Sequence, residues 1–214
     1  MKTILYPMLG LIALGLLISL MWRLYSRRHT LPCPTWLGWM VELDNPFTKT
    51  NRAHVIIETL GLKPTMKVLD AGCGPGRLTI PLAQKISPQG EVVAMDMQPG
   101  MLQRVREKAE ALNLPHIRFL QAGIGEGKLE HDYYDRILLV TVLGEIPNRE
   151  FALKELFNAL KPGGILSITE VIFDPHFQSQ KTVRQLTTAV GFLEKNMIGN
   201  RFAYTMQLEK PFGA

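Results

Sequence analysis

The chain has 214 residues, 46% hydrophobic and 20% charged, with 24 Lys and Arg against 19 Asp and Glu for a formal charge of +5. That balance excludes a largely disordered chain and provides for one domain with a sizeable core plus an appendage. Two cysteines, Cys33 and Cys73, exclude a disulfide framework, no Cys-rich metal site is expected, and the lack of any recurring segment excludes a repeat solenoid.

Four of the five net positive charges fall in residues 1–34, as Lys2, Arg23, Arg27 and Arg28, with no acid among them. They bracket residues 3–22, which carry no charge at all. A bilayer core takes about 20 apolar residues, and the basic excess follows the run rather than preceding it. The expectation is therefore a single-pass anchor with its basic flank over 1–29, with everything after it on the cytoplasmic side. Residues 30–49 read as a linker. Pro32 and Pro34 end any helix continuing from the anchor, and the apolar stretch 36–43, with Trp36 and Trp39, reads as a short helix packed on the domain or lying at the membrane surface. The rest of the chain is nearly neutral and has no basic-aromatic stripe, which argues against nucleic acid as a partner.

From residue 50 the pattern alternates. A helix is expected over 50–60, ending at Gly61. Strands are expected at 67–70, 91–96, 116–121, 135–141 and 164–171. Helices are expected over 77–86, 99–112, 148–160 and 178–190, and two extended stretches, 192–199 and 202–209, close the chain. The first, fourth and fifth strands are nearly continuous apolar runs, as strands buried on both faces are. Strands alternating with helices of this length predict an α/β fold with a doubly wound, mostly parallel sheet. Ligands on such sheets bind beyond the carboxyl ends of the strands, which directs attention to the loops there.

The first of these loops is Asp70-Ala71-Gly72-Cys73-Gly74-Pro75-Gly76-Arg77. Its glycines allow a tight turn and a close approach of ligand to backbone. Arg77 stands where a dinucleotide fingerprint has its third glycine, which argues against a nicotinamide cofactor. Cys73 has no evident His partner to make it a nucleophile. The second strand ends at Asp96, where a carboxylate can accept both ribose hydroxyls; the alternative is a cap for the helix that follows. Strand, glycine loop, helix, strand and acid in this order point to a nucleoside ligand.

The segments VLDAGCGPGRLT (68–79), VVAMDMQPGML (92–102), DRILLVTVLGEIP (135–147) and LKPGGILSITE (160–170) together resemble the class I S-adenosylmethionine-dependent methyltransferases, in their quinone- and sterol-methyltransferase-like group. The resemblance covers about residues 50–210, and the domain is expected over 50–214. It implies a seven-stranded Rossmann-like sheet with a reversed final strand, and S-adenosylmethionine as the cofactor. It also implies that Asp70, Gly72, Cys73, Gly74 and Gly76 surround the methionine moiety. Asp96 would hold the ribose hydroxyls, Met97 would lie against the adenine, and Thr141 and Val142 would flank the sulfonium. One departure stands out. Where the group commonly has an acid after the third strand, this chain reads Gln121-Ala122-Gly123-Ile124-Gly125-Glu126, so that the backbone of Gly123 and Ile124, or Glu126, would serve the adenine.

A sulfonium methyl is already electrophilic, so positioning is the main task and a general base is needed only for a protonated acceptor. Glu145 is the best-placed acid for that work; the alternative is a surface carboxylate capping the next helix. His176 could also face the acceptor, although a loop histidine is more often merely exposed. An anchor at residues 3–22 would favour a small lipophilic acceptor, such as a lipid headgroup or a quinone precursor. Two other readings stay open on the sequence alone: an S-adenosylmethionine-binding membrane module without turnover, and a nicotinamide-dependent oxidoreductase.

Overall fold

The structure is a computed structural model that describes residues 48–86 and 88–213, together with 33–35, 38–44 and scattered positions between 6 and 25. After a short helix α1 (Gly38–Glu42) and a 3₁₀ turn (Lys49–Asn51) come α2 (Ala53–Thr59), β1 (Lys67–Ala71), α3 (Thr79–Lys85), β2 (Glu91–Asp96) and α4 (Pro99–Ala111). Then follow β3 (Ile117–Gln121), β4 (Tyr134–Val140), a 3₁₀ turn (Leu143–Glu145), α5 (Arg149–Ala159) and β5 (Leu160–Val171). Helix α6 (Gln180–Val190), β6 (Leu193–Asn200) and β7 (Ala203–Glu209) complete the chain.

The seven strands form one sheet in the order β3-β2-β1-β4-β5-β7-β6. Strands β1 to β5 run parallel, and β7 lies antiparallel between β5 and β6. The expected doubly wound sheet with a reversed final strand is what the chain forms. Its strand order changes direction between β1 and β4, so a crevice opens at the carboxyl ends of those two strands.

The uninterrupted apolar runs reflect two cores, one on each face of the sheet. Side chains alternate across a strand, so Leu69, Val93, Met95, Ile137 and Leu139 pack on one side with Ala152, Leu153 and Leu156 of α5. Val68, Val92, Ala94 and Leu138 pack on the other with Ile56, Leu82, Leu102 and Val105 of α2, α3 and α4. Strand β6, at one edge, is mostly exposed, and its Lys195 and Asn196 blunt that edge against pairing with another chain.

Two boundaries differ from the sequence expectation for identifiable reasons. The helix expected over 50–60 is split, because Arg52 adopts an extended conformation (φ −70°, ψ 139°) and α2 starts only at Ala53. Asp44 reaches back to cap it, accepting the Ala53 N–H at 3.0 Å. Strand β5 starts at Leu160 rather than 164, pairing with Tyr134 across a bulge in the β4 register.

The single-pass anchor is corrected. Among the described residues no helix is long and apolar enough to cross a membrane. Residues 3–22 lie only partly among the described residues, and the pieces described fall short of the span length that a bilayer core requires. A transmembrane helix therefore does not belong to the fold as described, and the cytoplasmic-side placement that depended on it falls too. The short helix expected over 36–43 is found as α1, packed on the domain through Lys108–Glu42 (2.6 Å). Trp36 lies outside the described residues.

Candidate functional site

Backbone hydrogen bonds tie the loop after β1 to the end of β2. Gly72 N–H and Cys73 N–H both donate to the Met95 carbonyl, at 2.8 and 2.9 Å. Gly72 has φ +73°, and a Cβ there would stand 2.6 Å from Val142 Cγ2, so the β1 loop meets the end of β4 with no room for a side chain. Asp70 is buried beneath the loop and accepts the Thr79 hydroxyl at 2.6 Å, fixing the start of α3. Burial raises its carboxyl to about 6 against the lowering effects of Thr79 and Arg77. Arg77 extends outward to Asp44 (3.0 Å) and the Asn51 carbonyl (2.8 Å), joining the loop to the segment before α2.

Asp96 ends β2 and organises its surroundings. Its Oδ2 accepts the Gly74 N–H (2.9 Å) and its Oδ1 accepts the Gln98 N–H (2.8 Å). The carboxylate is only 8% exposed, and burial raises its pKa more than these two bonds lower it. Each carboxylate oxygen has two lone pairs, so each retains one for a further donor. The cap role considered for this acid is not what it performs, since α4 has no side-chain cap.

The loop after β3 is held from outside. The Glu155 carboxylate of α5 collects the N–H groups of Gly125, Lys128 (2.7 Å) and Leu129 (3.2 Å). At Gly123 a Cβ would fall 2.7 Å from Glu126 Oε1, which places the Glu126 carboxylate against the turn where the usual acid is missing.

These loops enclose a cavity of about 420 Å³, within the ~300–1,000 Å³ typical of small-molecule sites. Asp96, Met97, Gln98 and residues 122–126 line it. Gly72, Val142, Glu145, Ile146, Pro147, Asn148 and Phe151 complete the lining. Of the residues singled out from sequence, the structure brings Gly72, Asp96, Met97, Gly123, Ile124, Val142 and Glu145 into this one cavity. Asp70, Cys73, Gly74, Gly76 and Thr141 support the loops instead of lining it. Cys73 is buried, with its thiol raised well above the ordinary range by burial and the nearby acids. Thr141 holds φ +56° at the end of β4, a left-handed conformation unusual for a threonine.

Glu145 sits on the 3₁₀ turn after β4 and does not cap α5, a role filled by Asn148, whose Oδ1 accepts the Phe151 N–H at 3.2 Å. Burial, with Asp174 and Asp96 nearby, pushes the Glu145 carboxyl up to about 8. His176 is not an exposed loop residue; it is 4% exposed, with Nδ1 3.7 Å from Glu145 Oε1. Sequence reasoning missed the wall 146–148 and Phe151. Their one signal is position, directly after the strand whose end opens onto the crevice.

A family model described as a methyltransferase domain matches residues 62–208. The chain belongs to this methyltransferase-domain family. The enzyme class and cofactor expected from the sequence, a methyltransferase dependent on S-adenosylmethionine, agree with that membership, whereas a nicotinamide-dependent oxidoreductase does not. A demethylmenaquinone methyltransferase of Bacillus cereus (strain ATCC 10987) is 34% identical over 105 residues, 49% of this chain and 44% of the relative. A ubiquinone/menaquinone biosynthesis C-methyltransferase of Vibrio vulnificus (strain YJ016) is 31% identical over 123 residues, 56% of this chain and 47% of the relative. The chain thus spans somewhat less than half the length of the curated relatives it matches. In fold it is similar to a methyltransferase from Aquifex aeolicus, with a TM-score of 0.72 at 20% identity, covering 83% of this chain and 98% of that one. It is also similar to the [4+2]-cyclase SpnF, with a TM-score of 0.68 at 15% identity, covering 75% and 81%. With a cyclase among its structural neighbours, this methyltransferase fold alone does not name a reaction.

Gly72 offers a direct test of the packing between loops. Gly72→Ala should lower Tm by about 2–8 °C, since a left-handed alanine costs roughly 1–2 kcal/mol and Val142 must move. It should also weaken cofactor binding by driving Val142 into the cavity. Thermal unfolding and calorimetry together check this; an unchanged Tm would mean the loops are not packed as described.

Proposed function

We propose that this chain transfers a methyl group from S-adenosylmethionine to a small lipophilic acceptor with a weakly acidic O–H, a quinone precursor being the leading candidate. The observation that carries this reading is the set of residues that line the cavity. The cavity combines the buried Asp96 carboxylate and loop backbone with an apolar wall, Ile146, Pro147 and Phe151, beside the acid Glu145.

The residues fit the cofactor. Gly72 presents bare backbone to the cavity, and Asp96 retains one lone pair on each oxygen for the two ribose hydroxyls. Met97, more than half exposed beside Asp96, offers its side chain to an adenine face, and the Gly123–Ile124 backbone offers polar groups to the ring edge. Asp70 with the glycine loop supports the methionine end, and Val142, next to Thr141 in the turn after β4, flanks the sulfonium side. When bound, S-adenosylmethionine supplies a methyl that needs no further activation.

The chain's own contribution is then orientation and proton removal. Ile146, Pro147 and Phe151 form the apolar surface against which a ring can lie. Glu145 faces the same space and, once ionised, accepts the acceptor's proton. Desolvation raises its pKa towards the range in which a carboxylate is an effective base, and a cation in the cavity favours its charged form. The names of the quinone-methylating relatives support an aromatic, lipophilic acceptor.

Purified chain incubated with methyl-labelled S-adenosylmethionine and a detergent-dispersed, reduced demethylnaphthoquinone should place label in the organic phase. Label recovered only in added RNA or protein would overturn the lipophilic-acceptor reading.

A further inference from the structure

His176 is buried, carries two polar ring atoms, and neither of them makes a hydrogen bond among the described residues. A polar group withdrawn from water and left unpaired is costly, and an imidazole of this kind calls for a partner. The surrounding backbone holds it in place. His176 N–H donates to Asp174 Oδ1 (2.6 Å), and Gln178 Nε2 donates to the His176 carbonyl (2.6 Å). At Gly144 a Cβ would stand 1.9 Å from that same carbonyl oxygen, so glycine alone lets this loop press onto the turn bearing Glu145. Arg149 fixes the turn from the opposite side, donating to the Leu143 and Gly144 carbonyls at 3.1 and 3.0 Å.

We propose that His176 is a positioning residue for Glu145: its Nδ1–H donates to the Glu145 carboxylate, holding the carboxylate towards the cavity and stabilising its charged form. The 3.7 Å separation is longer than a hydrogen bond. Such contacts commonly tighten only in the loaded site. The other candidate acceptor, Asp174 Oδ1, lies farther away, 3.9 Å from Nδ1. The remaining charged or titratable groups within reach of the pair are Glu170 at the end of β5, Arg149 of α5, Asp96 of β2 and Cys33 of the N-terminal segment. Asp96, together with Asp174, disfavours a charge on Glu145, which makes a donor beside it the more valuable. This inference rests on the reading of Glu145 as the base.

Carbon-13 titration of the Glu145 carboxyl, without cofactor, tests the pairing separately from turnover. His176→Phe, which keeps a ring but no donor, should raise the Glu145 midpoint by about one pH unit, equivalent to about tenfold less carboxylate at neutral pH. The rate at pH 7 should fall by the same factor with KM unchanged, and His176→Asn, which returns a donor near the Nδ1 position, should restore both. A shifted midpoint with an unchanged rate would uphold the pair and dismiss Glu145 as the base. An unmoved midpoint in a folded His176→Phe protein would overturn the pairing. Should that variant fail to fold, nitrogen-15 spectra of the wild type decide: neutral His176 should be the Nδ1–H tautomer, and the Nε2–H tautomer would overturn the proposal.

Discussion

Glu145→Gln is expected to reduce turnover by about 10²–10⁴-fold, the usual contribution of a positioned general base, while leaving affinity for S-adenosylhomocysteine within about twofold because the residues assigned to the nucleoside are unchanged. The wild-type rate should rise with pH and level off above about pH 8, where burial has pushed the Glu145 carboxyl, and the residual rate of the variant should not follow that curve. The same shift has a consequence for stability. The folded value, about 8, lies above the ordinary 4.5. The unfolded chain therefore releases this proton first, and the contribution of the neutral group is complete below about pH 4.5 and is lost as pH rises through about 8. Glu170, buried at the end of β5 and likewise raised to about 8, acts in the same direction. Removing the ionisable group should therefore raise Tm at pH 8.5 by ~2 °C or more while having little effect at pH 4. Loss of activity with a gain in stability at alkaline pH is the signature of a functional carboxyl kept at a cost to the fold. Full activity in the glutamine variant, or a pH-independent wild-type rate, would remove Glu145 from the reaction.

How far the sequence could be read depended on whether each feature leaves a mark of its own type. The sheet was legible because strands buried on both faces must be apolar at every position, as residues 68–71, 92–95 and 137–139 are apart from Asp70. The glycine loop was legible because left-handed backbone such as that of Gly72 selects its residue almost uniquely. Asp96 was legible because a carboxylate that closes an apolar strand must find donors there, and the strand end faces the crevice. The apolar wall at Ile146, Pro147 and Phe151 was not, since a cavity wall and a core use the same residue types. His176 was misjudged for a related reason: its burial comes from Gly144, more than thirty residues earlier, which admits its loop onto the β4 turn. The run 3–22 has the composition a membrane span needs, but composition establishes hydrophobicity and not a continuous helix, and no helix of the required length and apolar character is found among the described residues.

Asp96→Ala should weaken S-adenosylhomocysteine binding by about 10²–10⁴-fold, since two hydrogen bonds to a charged acceptor are together worth roughly 3–6 kcal/mol. The substitution also strips the Gly74 and Gln98 N–H groups of their acceptor, so part of any loss could arise from a loosened glycine loop instead of a missing ribose contact. Asn cannot serve as the neutral control, because its amide nitrogen would have to face one of those two donors. The ligand supplies the control instead. A 2′-deoxy analogue removes one of the hydroxyls in question without touching the protein, which makes a cycle of two proteins and two ligands. If Asp96 holds the ribose, the wild type should discriminate between the two ligands by about tenfold or more, and Asp96→Ala should bind both almost equally. Titration calorimetry on all four combinations measures this, and circular dichroism verifies that the variant has folded. Discrimination that survives in Asp96→Ala would assign the loss to the loop and give the ribose hydroxyls to another group, of which Gln98, beside Asp96 in the cavity wall, is the nearest by position.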